Sequence, residues 1–577
     1  MYPGMTRYCL VVCVLCLAAL GQQPPASPKP DSSGPAKETE EGIPVSNELV
    51  RKECGSCHPS DDKQRMSRIS HRRTTPEGWQ QTIKRMVSLN NVKLEPDAAR
   101  QILKYLANQH GLAPEEVKPG AFEVEKRLID YKYAADNDTE QTCIKCHSFG
   151  RVLLQRRSKM EWELLIAMHR GYYPLIDNQS YRRMGPPQTQ PGPDGRPPDN
   201  RHPMDKAIAH LSTAFPLRTP EWSRWSANWR NPKLDGRWLL SGYQTGKGPV
   251  FGEVTIKPNP SAKDGDEFVT EASYTYVRSK QNVRRQGKAN LYTGYQWRGR
   301  SFEGGREGTA FREVLLLDRN QRELTGRWFT GAYDETGIDV KLVRVSRDPL
   351  LSGVFPASLP AGVSGRELQI FGANLPANAS ASDLDFGPGI VVKSIVRSGA
   401  SSVTALVDVA KDARIGGRDL AAGGSILERA LTVYDKVDAI KVRPQSGLSR
   451  LGGIGFPKMF QQFEAIGYSN GPDGKPDTKD DIEIGMVNVA WSVEEYTATF
   501  GDDDLRFVGS LNDDGLFTPN VDGPNSARSG NRNNMGDVWV VASHQPADKA
   551  MRPLRARALL IVTVPIYLRF DQPEVGQ

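Results

Sequence analysis

Two stretches carry chemistry before anything else in the chain: Cys54-Gly55-Ser56-Cys57-His58 and Cys143-Ile144-Lys145-Cys146-His147. Each is a C-x-x-C-H, the pattern by which a c-type haem is attached. The chemistry sets the spacing. Two thiols three positions apart on one helical turn each form a thioether to a haem edge, and the next residue offers its imidazole to the iron. A zinc site or a pair of redox disulfides would use the same cysteines. Zinc does not require a histidine directly after both pairs, however, and a thioredoxin-type motif would not recur in this form. The expectation is two covalently bound haems c, held by Cys54, Cys57, Cys143 and Cys146, with His58 and His147 as iron ligands.

The segments that must position these motifs repeat as well. Arg72-Arg73-Thr74-Thr75-Pro76-Glu77-Gly78-Trp79 follows the first motif, and Arg156-Arg157-Ser158-Lys159-Met160-Glu161-Trp162 follows the second. One inserted residue, such as Gly78, aligns them. Trp79, Ile83 and Met86 then match Trp162, Ile166 and His169 along one helix face. Leu103, Leu106 and Leu112 correspond to Ile208, Leu211 and Leu217. The pattern predicts two tandem cytochrome c units, each with an attachment, a middle and a closing helix. It also proposes His58/Met86 for the first iron and His147/His169 for the second. Met86 as a core methionine and His169 as a helix-end histidine are the competing readings. Met66, His71 and His110 compete for the first haem; Met168, Met184, His202 and Met204 compete for the second. A thioether ligand raises the potential, so the first haem is expected to be the exit. Seven of the eight histidines precede Leu211, which concentrates histidine where the iron would be.

The other three of the seven cysteines, Cys9, Cys13 and Cys16, lie in the apolar run Tyr8–Leu20, after Arg7 and before Gly21. This reads as a secretory signal peptide over 1–21 rather than a membrane span, with a lipoprotein anchor at Cys13 as the weaker alternative. The mature chain is then expected to be periplasmic, with every cysteine committed to haem and none left for a disulfide or another sulfur-bearing cofactor. Residues 22–44, rich in Pro, Ser, Lys and Glu, read as a disordered leader. The net charge of +7 is scattered without a basic block, which is weak evidence for nucleic acid. No second stretch is long enough for stable membrane insertion.

A hydrophobic content of 38% with 54 Gly and 41 Pro suits a largely β protein. The expected fold is multidomain α + β: an all-α dihaem region at 45–220, with units at about 45–118 and 119–220, followed by three all-β domains. Alternating segments such as Gly252–Ile256 and Glu313–Leu317 predict a β-barrel at 221–347. Leu368–Leu375 and Ala430–Tyr434 predict an immunoglobulin-like sandwich at 348–436. A last β-sandwich, 437–577, would include Ala558–Val564. The acidic stretch Asn470–Asp481 lacks regular calcium-loop spacing and reads as a solvated hairpin loop. Asp502-Asp503-Asp504 reads as a solvated turn. The β half shows no phosphate loop, nucleophile elbow or metalloprotease helix.

This order of parts resembles the large subunit of quinohaemoprotein amine dehydrogenase. The resemblance rests on the two C-x-x-C-H units, the Arg-Arg…Trp segments, and Leu103–Ala107 followed by Gly111–Glu116. In the last domain, Phe507–Ser510, Gly515–Pro519 and Ser529–Ala542 reinforce it. It implies two haems c and three β domains. It also implies a β-propeller partner and a small partner subunit bearing a cysteine tryptophylquinone, which oxidises a primary amine to an aldehyde and ammonia. Electrons would leave through the haems to an external cytochrome c or small copper protein. A dihaem peroxidase or a plain electron carrier with β docking domains remains the alternative.

Overall fold

The computed structural model describes residues 38–121, 133–144, 147–182, 185–192, 195, 197–262, 265–305, 308–497 and 503–565. The signal-peptide reading of 1–21 therefore lies outside the described residues, as do Cys146, Met184 and Asp502. Residues 1–41 form a unit of their own, whose described part holds a bend with the Glu40 amide donating to Glu38. The account below concerns 42–577.

The attachment helices, Glu48–Cys54 and Asn137–Cys143, both end on the first cysteine of their motif. Both also start on a side-chain cap that satisfies an orphan backbone amide: Asn47 accepts from the Val50 amide, and Asp136 from the Thr139 amide. The middle helices are Pro76–Leu89 and Lys159–Tyr172, and the closing helices are Pro96–Gln109 and Pro203–Ala214. Thr75 caps the first middle helix and Ser158 the second, each four residues before its tryptophan. The repeat therefore needs no insertion at Gly78. Aligned on the caps, Arg73 matches Arg156 and Thr74 matches Arg157. The two tryptophans play one role: Trp79 Nε1 donates to the His110 carbonyl at 3.0 Å and Trp162 Nε1 to the Phe215 carbonyl at 3.2 Å. His110 and Phe215 each follow the last residue of a closing helix.

The two units meet through strands β1 (Arg72–Thr74) and β2 (Gln155–Arg157), which pair antiparallel with Arg73 opposite Arg156. Repeat-equivalent residues facing each other across an antiparallel pair define a local twofold axis. At that axis lies one buried carboxylate, Glu116. It accepts two hydrogen bonds from Arg73, at 2.7 and 2.8 Å, and lies 3.2 Å from Arg156 Nε. The Thr219 hydroxyl and the Ala113 amide also donate to it, each at 2.8 Å. Arg73 stacks on Trp222 and Arg156 on Phe215.

Residues Pro220–Asn228, expected at the start of the barrel, are helical because Thr219 caps a turn begun by Pro220. The barrel strands follow: β3 (Gly236–Gln244), β4 (Gly248–Pro258), β5 (Glu267–Tyr276), β6 (Gln281–Tyr292), β7 (Gln296–Glu303), β8 (Thr309–Leu317), β9 (Glu323–Thr330) and β10 (Thr336–Arg344). They close as an antiparallel barrel. Eight strands leave an interior that side chains can fill, and Trp238, Phe268, Tyr274, Trp297, Phe311 and Trp328 do so.

The barrel grips the first helical unit through the turn between β6 and β7. Thr293 has φ 55°, a strained value for a β-branched residue. Its surroundings hold it there: the amide donates to Asn108 at 2.8 Å, the hydroxyl to the Ala107 carbonyl at 3.0 Å, and the carbonyl accepts from Trp225 at 3.1 Å. The buried pair Arg298–Glu77 adds a second tie.

Two four-stranded sheets spanning 350–434 pack face to face over Leu368, Ile370, Val407, Leu431 and Val433. Phe371 of this sandwich stacks on Phe251 of the barrel at 4.4 Å. The last domain folds about Phe463, Phe517, Val540 and Leu560. Its Glu464 accepts hydrogen bonds from barrel Tyr243 and Gly246. The loop 470–481 joins two paired strands, and its acids accept from its own groups, including the Asp473 and Asp477 amides and the Thr478 hydroxyl. Asp503 and Asp504, by contrast, are not a solvated turn, because both bind the buried guanidinium of Arg528.

Candidate haem sites

After Cys54 the chain coils once more. The Cys57 and His58 amides both donate to the Cys54 carbonyl, at 3.3 and 2.9 Å. His58 Nδ1 lies 3.0 Å from the Ser67 carbonyl and His147 Nδ1 lies 2.9 Å from the Ser148 carbonyl. A carbonyl can only accept, so each Nδ1 carries the proton and each Nε2 keeps its lone pair, as an iron-ligating histidine requires. Burial lowers the pKa of both imidazoles, that of His147 to about 4, and so favours the neutral form. Burial likewise pushes the Cys54 thiol up to about 11 and the Cys143 thiol up to about 12. These are not the activated thiolates of a redox C-x-x-C. None of Cys54, Cys57 and Cys143 is in a disulfide.

The residues nominated for the sixth position occupy equivalent places in the middle helices, both half-buried. His169 Nδ1 donates to the Leu165 carbonyl at 2.8 Å, which again leaves Nε2 available. Its charge is felt by His147, so the structure brings these two histidines to one region. Met86 Sδ accepts a hydrogen bond from Asn90 at 3.7 Å. The competing residues sit differently. Met66 is fully buried among Val45, Val50 and Trp79, and Met204 packs against Ile166 and Tyr181. His202 caps the second closing helix by accepting the Met204 amide. His71 packs against Gly42, and Met168 is half-buried beside His169. His110 is fully buried between Trp79 and Tyr105. The Pro44 backbone faces it without hydrogen-bond geometry for either nitrogen, and burial lowers its pKa to about 4.

Sequence reading missed the charged ring between the units. Arg68 and Arg157 both bind Glu161. Arg72 donates to Thr82 and to the Gly78 carbonyl while lying over Trp79. Burial and the neighbouring Arg157 hold Arg72 well below the usual guanidinium range. The doubled arginines signalled a repeat, but only the β1–β2 register shows which of them face each other. Large apolar side chains stand exposed at the ends of the two middle helices: Val87, Leu89, Tyr172, Tyr173 and Leu175. The described features suit haem binding: Cys54 and Cys57 on one turn, Cys143 at a helix end, imidazoles at His58 and His147 with Nε2 free, apolar surface to cover a macrocycle and cations for its carboxylates.

Family models match the chain in four segments. The quinohemoprotein amine dehydrogenase A, alpha subunit, haem-binding model covers 45–185. Models for alpha subunit domains II, III and IV cover 231–345, 348–435 and 440–575. No curated protein matches. Among solved structures, a redesigned beta barrel is 16% identical over 20% of this chain and 92% of its own, with a TM-score of 0.17. A de novo designed fluorescence-activating beta barrel is 15% identical over 19% and 93%, with a TM-score of 0.16. A haem-binding helical region carried on β domains defines a haem-carrying subunit of a redox enzyme. The chain belongs to the quinohemoprotein amine dehydrogenase alpha subunit family, and is thus a subunit of a multi-subunit oxidoreductase. No helix among the described residues is long and apolar enough to cross a membrane.

Proposed function

We propose that this chain is the electron-transferring subunit of a periplasmic amine dehydrogenase, carrying two covalent haems c. Cys54 and Cys57 would hold one and Cys143 and Cys146 the other. His58 and Met86 would be the axial ligands of the first iron, and His147 and His169 those of the second. When bound, the haems supply one-electron oxidation and reduction. The chain's own residues fix the imidazoles by the Ser67 and Ser148 carbonyls, bury them, and hold both units to one rigid β1–β2 seam. The observation that carries the reading is the repeated C-x-x-C-H motif, in which His58 and His147 both keep Nε2 available.

Oxidation of the primary amine belongs, in this reading, to a cysteine tryptophylquinone in a small partner subunit, with a β-propeller subunit completing the complex. With all four mature cysteines at haem motifs, this chain has none from which to build such a quinone. An external cytochrome c or small copper protein would accept the electrons, and the β domains would serve as scaffold. Co-purification with mass spectrometry and a quinone stain tests this division. The complex should stain and turn over amine, and the isolated chain should be redox active without amine turnover. Steady amine oxidation by the isolated chain would overturn it. Met86→Ala should abolish the weak near-infrared Met-to-iron band, and His169→Ala should turn the other haem high-spin. Unchanged spectra in both would overturn the ligand assignment.

A further inference from the structure

The charged ring between the units is mostly absent from the repeat. Under the cap-based alignment the counterparts of Arg72, Arg85, Arg157 and Glu161 are Gln155, Met168, Thr74 and Gly78, and only Arg68 meets a charged counterpart, Arg151. The charge is therefore concentrated on the side of the local twofold axis where Arg72 pairs with Arg157. Four guanidinium groups, from Arg68, Arg72, Arg85 and Arg157, act on one another there. Glu161 is the single carboxylate bonded to them among the described residues. Arg72 and Arg157 are buried, Arg85 is half-buried and Arg68 is exposed, and like charge held out of water in this way is costly unless an anion offsets it. Two donors still await one: Arg72 Nε, on a side chain more than nine-tenths buried, and Arg85 Nε, both buried and without a hydrogen-bond partner.

Both helical units contribute to the ring, Arg72 pairing with Arg157 across the β1–β2 seam. His58 of the first unit feels Arg68 and Glu161, whereas His169 of the second feels Arg157 and Arg85. Tyr172 and Tyr173 face Arg85 from the end of the second middle helix.

We propose that this ring is a shared seat for haem propionates, in which Arg72 and Arg85 donate to carboxylates of the haems and set their potentials together. The proposal rests on the dihaem reading. Arginine is suited to the task, because its planar fork holds a carboxylate through two parallel bonds and stays charged when buried. A fixed cation beside a haem disfavours the ferric form, so the ring raises the reduction potential. It acts on two haems at once because both units contribute to it. Arg72 and Arg85 are thus positioning residues, acting on the iron through the macrocycle's carboxylates.

The test uses the complete complex with Arg85→Gln, Arg72→Gln and the conservative Arg85→Lys. Haem content is read from the Soret band and both midpoint potentials by spectroelectrochemistry. At full haem content, Arg85→Gln should shift the oxidised-to-reduced ratio of a haem about tenfold toward the oxidised form, equivalent to 59 mV for one electron. Arg85→Lys should restore most of the shift, and Arg237→Gln, on the exposed barrel surface, should leave both potentials unchanged. If Arg72→Gln does not fold, the half-buried Arg85 carries the test alone. Unchanged potentials in Arg85→Gln at full haem content overturn the proposal. A wild-type complex without a Soret band would instead overturn the dihaem reading, so the two failures are distinct.

Discussion

The two helical units share a frame and differ at the positions proposed for the chemistry. Both start their attachment helix on an Asn or Asp cap, end it on a cysteine, and anchor the middle helix to the closing helix through a buried tryptophan. Against this constant frame, Met86 stands where the other unit has His169, and His110 where it has Phe215. Arg72 and Arg85 correspond to Gln155 and Met168. The comparison separates what holds a unit together from what tunes it. Side-chain caps and tryptophan–carbonyl bonds are kept, while the proposed ligands and the charges diverge.

The largest effect should come from breaking the common frame. Trp79→Ala and Trp162→Ala each remove a fully buried indole and leave a carbonyl short of a donor. Each should cost about 3–5 kcal/mol, measured by chemical denaturation of the complex. If the units are equivalent, the two losses agree within about 1 kcal/mol. A loss confined to one variant would show that the repeat is a pattern of sequence alone.

Glu116 tests the axis itself. Burial works to raise its pKa, but the hydrogen bonds from Arg73, the charge of Arg156 and the Ala113 amide prevail and hold it below the usual carboxylate range. A depressed native pKa contributes stability that is complete above the unfolded value of 4.5 and is lost as pH falls through the native one. Glu116→Gln should therefore cost up to about 3–5 kcal/mol at neutral pH, the range for breaking a buried ion pair. It should also flatten the acid limb of the stability profile. A variant with an unchanged acid limb would remove Glu116 from the account of how the units are joined.

The smallest effect is expected where one unit is given the other's residue. His110 is buried with its pKa near 4, whereas its counterpart is phenylalanine. The depressed pKa makes native His110 stabilising above pH 6.5 relative to lower pH, and that contribution fades as pH falls toward 4. His110→Phe should be within about 1.5 kcal/mol of wild type near pH 7, stabilise the chain relative to wild type near pH 5, and leave both haem spectra unchanged. A changed spectrum of the first haem would make His110 an iron ligand and Met86 a core residue.

How much of this was legible in the sequence differs by region. Local signals survived. The C-x-x-C-H turns, the tryptophan repeat, and segments such as Gly252–Ile256 in β4 and Ala558–Thr563 in a C-terminal strand carry their own periodicity or chemistry. Cap chemistry at Thr75 and Ser158 was also in plain sight, yet doubled arginines drew the alignment one residue out of register. What was not legible depends on contacts between distant segments. Nothing local says that Arg73 and Arg156 share Glu116, that Arg68 reaches Glu161, or that Arg528 draws Asp503 and Asp504 out of solvent. Pro220–Asn228 was readable through its Thr-Pro start, but neighbouring strand patterns outweighed it.

The central claim is that both C-x-x-C-H turns carry covalent haem on this chain. Mass spectrometry of the mature protein digested into separate peptides containing Cys54–His58 and Cys143–His147 tests it most directly. Each peptide should carry one haem mass, and Cys57→Ala or Cys146→Ala should weaken or remove the haem from its own peptide only. Two peptides at their unmodified masses, from a protein that holds zinc and shows no Soret band, would contradict the account.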